Sequence, residues 1–69
     1  MRIRFGTCIH ICYFVSNPGN SNLINASTDN GLYTIVFDTE EEAHKVYQQI
    51  LEKGYYDATN NEYSNWLKR

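Results

Sequence analysis

Residues Asn30 to Gly54, NGLYTIVFDTEEEAHKVYQQILEKG, read without a break as turn, strand, capped helix and helix stop. Asn30-Gly31 is a favoured pair for a two-residue hairpin turn, because both residue types tolerate positive φ. Leu32 to Phe37 is β-branched and aromatic, the composition of a strand. Asp38 or Thr39 can serve as N-cap, and either choice places a glutamate three residues on, Glu41 or Glu42, as a capping box requires. Glu40, Glu41 and Glu42 put negative charge at the positive end of the helix dipole. Ala43, Val46, Tyr47, Ile50 and Leu51 then recur at helical spacing as one apolar stripe. Lys53 lies in the last turn, and Gly54 supplies a left-handed stop. The acidic triplet is read as a helix start, in preference to a metal site.

Working outward, Arg2 to Ser16 alternates in residue type. Ile3, Phe5, Thr7, Ile9, Ile11, Tyr13 and Val15 share one side, and Arg2, Arg4, Gly6, Cys8, His10, Cys12, Phe14 and Ser16 the other. That is the period of a strand, with Gly6 as the place for a bend. Ser16 to Ser21, with Pro18-Gly19 at its centre, is a turn cluster. Asn22 to Ser27 is a weak strand that pairs with Leu32–Phe37 across Asn30-Gly31. The fold expected is therefore α+β: a three-stranded antiparallel meander with one long helix, residues 39–53, packed on one face. Its stripe should cover Ile3, Phe5, Ile9, Ile11 and Tyr13. After Gly54, Tyr55-Tyr56 can extend across the sheet. Thr59 or Asn60 can cap a short final helix bearing Tyr63, Trp66 and Leu67, or the chain continues as a tail.

The 69 residues make one small domain, 1–69. The 42% hydrophobic content is too high for disorder, and the net charge of −2 argues against a nucleic-acid-binding surface. It is also far too weak for mimicry of a phosphate backbone. Met1 to Val15 superficially resembles a secretory leader, but Gly6 and His10 interrupt its apolar run and no small-x-small site follows. No apolar run approaches the roughly 20 residues of a membrane span. A cytoplasmic location is expected.

Written as CIHIC, Cys8, His10 and Cys12 suggest a metal site. In an extended strand, however, Cys8 and Cys12 stand about 13 Å apart at roughly 3.3 Å per residue. One zinc ion holds sulfur at about 2.3 Å, and a disulfide needs Cα atoms within about 7 Å. No cofactor or structural metal is expected, and the cysteines read as small buried hydrophobes flanking a histidine. A cysteine nucleophile would need a base held by a third group, and no orienting acid for His10 is evident in the sequence. His44 lies beside the helix stripe and reads as a half-buried surface histidine. No catalytic constellation emerges, so the chain is read as a non-enzyme.

Two contact surfaces are expected. Tyr55, Tyr56, Tyr63 and Trp66 are aromatic residues of the kind enriched at binding hot spots, set in a polar stretch; they serve either as a partner site or as closure of the core. The side of the sheet bearing Cys8, His10, Cys12, Phe14, Leu32 and Val36 would be bare apolar surface, so a homodimer should bury it. One form pairs the first strand with its own copy about His10. Arg2, Arg4, Lys68 and Arg69 put positive charge at both termini. With His10 they define the alternative reading, a nucleic-acid-associated regulator or small ribonuclease.

Asparagine, isoleucine and tyrosine, whose codons are AT-rich, are frequent in this very short acidic chain without an enzyme signature. In that general character the chain resembles the small accessory proteins of phages, including anti-defence inhibitors. The resemblance implies a protein that blocks or regulates a larger host or bacterial protein, and it transfers no functional residues.

Overall fold

The alternation of residues 2–16 is broken at Gly6, and that break decides the topology. In the computed structural model, which describes residues 1–66, the segment is two strands, β1 (Arg2–Phe5) and β2 (Cys8–Ser16). They pair antiparallel, with Phe5 opposite Cys8 across the two-residue loop Gly6-Thr7. Gly6 takes φ 67, the positive value that a glycine at the first central position of such a loop supplies. A two-residue loop sets odd positions before it opposite even positions after it. Ile3 therefore shares a side with His10, and Arg4 with Ile9.

A 3-10 turn at Pro18–Asn20 leads to β3 (Leu23–Thr28), β4 (Gly31–Val36), α1 (Glu40–Lys53), β5 (Tyr55–Asp57) and β6 (Glu62–Trp66). The six strands form one mixed sheet in the order β5-β1-β2-β3-β4-β6. The expected meander is present at its centre but understates the sheet. The β3–β4 turn is Asp29-Asn30, one residue earlier than expected, because Thr28 pairs with Gly31. Gly31 carries the positive φ, 103, and the Thr28 hydroxyl fastens the turn by donating to Gly31 O (2.8 Å) and accepting from Asn30 N (3.0 Å).

The helix starts and stops where expected. Thr39 is the N-cap, its hydroxyl accepting from Glu42 N, and Gly54 ends the helix at φ 74. Its buried side chains are Ala43, Val46 and Ile50, with Tyr47 partly buried; Leu51 is exposed, so the stripe is narrower than expected. It packs over a core centred on Ile3, Ile24, Ile35 and Ile50, all fully buried. Phe5 belongs to this core, whereas Ile9, Ile11 and Tyr13 do not, because the Gly6 loop has turned them outward. A bulge between Cys12 and Phe14 resets the alternation again and returns Val15 to the core.

The expected C-terminal helix is replaced by strand β6. A helix of eight or so residues has little stability of its own, while the free edge of β4 offers five successive pairings, Val36–Glu62 to Leu32–Trp66. Leu67, expected on that helix, lies outside the described residues, as do Lys68 and Arg69. The closing segment is a strand that changes partner. β5 lies parallel to β1; the chain then crosses at residues 58–61, and β6 continues antiparallel to β4. Ala58 N donates to Arg4 O (2.8 Å), Thr59 Oγ1 accepts from Gly6 N (2.9 Å) and Asn61 Nδ2 donates to Val36 O (3.3 Å). The crossing thus ties the β1 side of the curled sheet to its β4 side.

Candidate functional site

The outer face of the sheet, away from α1, carries the largest concentration of uncovered apolar side chains. β2 presents Ile9, Ile11, Tyr13 and Phe14 at 46, 53, 65 and 63% exposure, β4 presents Leu32 at 39% and β6 presents Trp66 at 60%. Phe14, Ser27, Leu32 and Trp66 are register partners in one row across four strands. The next row, Ser16, Asn25, Thr34 and Ser64, is neutral and polar, with the Thr34 hydroxyl donating to Asn25 Oδ1 at 2.8 Å. Charge on this face lies toward its margins, at Arg2 and Arg4 on β1, Asp57 on β5 and Glu62 on β6. Arg4 is engaged there: its Nε donates to Tyr55 Oη at 3.2 Å, a bond that holds the guanidinium pKa further up. Hydrogen bonds from Thr59 hold the Asp57 carboxyl below its usual range.

The four aromatic residues expected as one partner site are divided by the strands that carry them. Tyr55 is on the outer side beside Arg4. Tyr56 points inward, half-buried against Phe37, and donates to Asn61 Oδ1 at 2.7 Å; burial pushes its phenol pKa up. Tyr63 also points inward, its ring 4.6 Å from Phe5, and only Trp66 joins the outer apolar row. Tyr56 and Tyr63 thus help to close the core, while Trp66 stays exposed.

The six residues expected on a dimer face are likewise divided. Cys8, His10 and Cys12 are on the inward side, while Phe14, Leu32 and Val36 are outward. Cys12 is only 2% exposed, and its thiol donates to Phe14 O at 3.4 Å; burial pushes the thiol pKa up. At Cys8–Ile11 β2 is bonded to β1 on one edge and reaches β3 only from Cys12 on, and the other side at Ile11 is met by the β3–β4 turn, Asp29 N donating to Ile11 O at 3.0 Å, so self-pairing of the first strand about His10 would have to displace that turn. Of the basic set, Arg2 and Arg4 lie on the face opposite His10, and Lys68 and Arg69 are outside the described residues.

His10 has the orienting acid that the sequence does not reveal. Its Nδ1 lies 3.4 Å from Asp29 Oδ1, and its Nε2 lies 3.4 Å from Tyr33 Oη, which accepts from Asn30 Nδ2 at 3.1 Å. Finding Asp29 required the hairpin register that brings the β3–β4 turn over β2. One ring nitrogen faces the carboxylate and the other faces the hydroxyl of Tyr33, which is itself buried. The network fastens the turn to β2. Among the described residues, no group of three or more His, Cys, Asp or Glu side chains could hold a metal ion, and no helix is long and apolar enough to cross a membrane.

Comparison of the chain with protein-family models, with curated proteins and with solved structures returns no match.

Proposed function

We propose that this chain is a non-enzymatic binding protein that blocks or regulates a larger protein partner, with the outer face of its sheet as the contact surface. The observation that carries this reading is the set Ile9, Ile11, Tyr13, Phe14, Leu32 and Trp66, left uncovered on a face with neutral rows at its centre. Contiguous exposed apolar surface rimmed by polar groups is the usual mark of a protein-interaction site. The partner surface it fits is apolar and uncharged at its centre. The fuller form of the reading is an accessory inhibitor of phage or bacterial origin acting in the cytoplasm, and its support is the general character of the sequence.

The test is capture of a partner by the tagged chain, followed by the same capture with Ile11→Glu and Phe14→Glu, two changes on exposed positions. The partner should be retained in high salt by the wild type and lost by both variants. Retention by both variants would sink the outer-face reading. A partner that proved to be RNA or DNA, released by moderate salt as phosphate contacts are, would replace the reading with a nucleic-acid one.

A further inference from the structure

We propose that the free edge of β6 binds a second copy of this chain, strand to strand and antiparallel, about a two-fold axis at Ser64. β6 is bonded to β4 along one edge, and among the described residues no strand is bonded to the other. All five residues, Glu62–Trp66, are exposed. In a strand with one neighbour, part of the backbone N–H and C=O groups point away from the sheet and remain available for pairing. Natural edges are blunted by proline, lysine or a bulge. This one has none of them: its sequence is EYSNW, and its register with β4 runs through five pairs without a shift.

The sequence of β6 selects a copy of itself. Centring the antiparallel pair on Ser64 engages all five residues. Tyr63 then faces Asn65 of the second copy on the inward side, and Glu62 faces Trp66 on the outward side. The one charge of the strand never meets its own image, which would be destabilising. The small side chain at the axis leaves room for its symmetry mate. The assembly also closes. The opposite edge of the sheet is β5, only three residues long and packed beside α1, so pairing at β6 gives a two-fold dimer instead of a fibre. A five-residue seam is smaller than a standard interface of roughly 1,200–2,000 Å², so the association is reversible and concentration-dependent.

The experiment uses the purified full chain, so its result does not depend on the proposed partner. Ser64→Cys and Glu62→Cys are made in a Cys8→Ser background, where the remaining native thiol, Cys12, is buried. Across the proposed axis, residues at position 64 have Cα atoms about 4.5–5.5 Å apart, within disulfide reach. Those at position 62 are about 13 Å apart along the strands and out of reach. Mild oxidation should link S64C into a covalent dimer at least ~10-fold faster than E62C; equal rates, or no dimer from S64C, would overturn the pairing. In sedimentation, the unmodified chain should shift from monomer to dimer as it approaches millimolar concentration. Ser64→Glu, which sets two carboxylates opposite each other, should remain monomeric. A wild type that stays monomeric, or a Ser64→Glu variant that still dimerises, would also overturn the proposal.

Discussion

Phe5 and Tyr33 stack with ring centroids 4.1 Å apart and planes at 14°, although two strands, β2 and β3, lie between theirs in the sheet. In a flat sheet those strands would be about 14 Å apart at the usual strand spacing. The contact exists because the sheet curls, and it holds that curl. Phe5→Ala should therefore cost about 3–5 kcal/mol, as loss of a buried ring does. Tyr33→Phe keeps the stack but removes the hydroxyl shared with Asn30 and His10, and should cost about 0.5–1.5 kcal/mol. Urea unfolding of the two variants measures both, and equal costs would show that the hydroxyl rather than the ring holds the site.

The two thiols should be sharply distinguishable. Cys8 is exposed, whereas Cys12 is buried with its pKa raised, chiefly by desolvation. Alkylation near pH 8 should label Cys8 promptly and Cys12 only on unfolding. A raised folded pKa means a stabilising contribution fully present below the unfolded thiol value of about 8.5 and lost as pH rises through the folded one. Thermal unfolding between neutral and alkaline pH should therefore show a steeper decline in the wild type than in Cys12→Ala.

Asp57 has the opposite sign. Its carboxyl is held low by hydrogen bonds from the Thr59 hydroxyl and backbone, and secondarily by Arg4. Its contribution is present above the unfolded carboxylate value of about 3.9 and is lost as pH falls through the folded one. Acidification should lower the melting temperature of the wild type more steeply than that of Asp57→Asn. Parallel curves would mean that this turn does not report on folding.

Thr39→Ala should cost about 1 kcal/mol through loss of the helix cap to Glu42 N. Circular dichroism at 222 nm during denaturation would register it, and an unchanged midpoint would contradict the capping geometry.

Trp66 is the only tryptophan and stands 60% exposed on the outer face. Its emission in the isolated chain at low concentration should be that of a solvated indole and readily quenched by acrylamide. Protection from quenching under those conditions would contradict its placement.

The helix was legible in the sequence because its signals are local: a cap, a charge pattern, an apolar period and a glycine stop all fall within one continuous stretch. The faces of the first two strands were not. Their parity turns on a two-residue loop at Gly6 and a bulge beside Cys12, and a one-residue change of register moves every following side chain to the other side. Tyr63 and Trp66 sit at a spacing that suits one face of a short helix as well as the two opposite faces of a strand, and the free edge of β4 decided the matter. The pairing of His10 with Asp29 was hidden for a related reason, since it depends on which turn folds over β2.

The strand that changes partner at residues 58–61 has a consequence for the order in which the molecule can be made. Its first half closes on residues 2–4, which are synthesised well before it, and its second half closes on β4. Until residues 55–66 have emerged, β1 lacks one neighbour, β4 lacks one neighbour, and Phe5 and Tyr33 lack the ring of Tyr63. The hairpins can form during synthesis, but the finished sheet cannot. Pairing between segments far apart in sequence must pay loop closure before its contacts form, and it slows folding relative to local contacts. Emergence of residues 55–66 is therefore the step that permits the native state, and a nascent chain halted after α1 would remain an open sheet without its β5 and β6 edges.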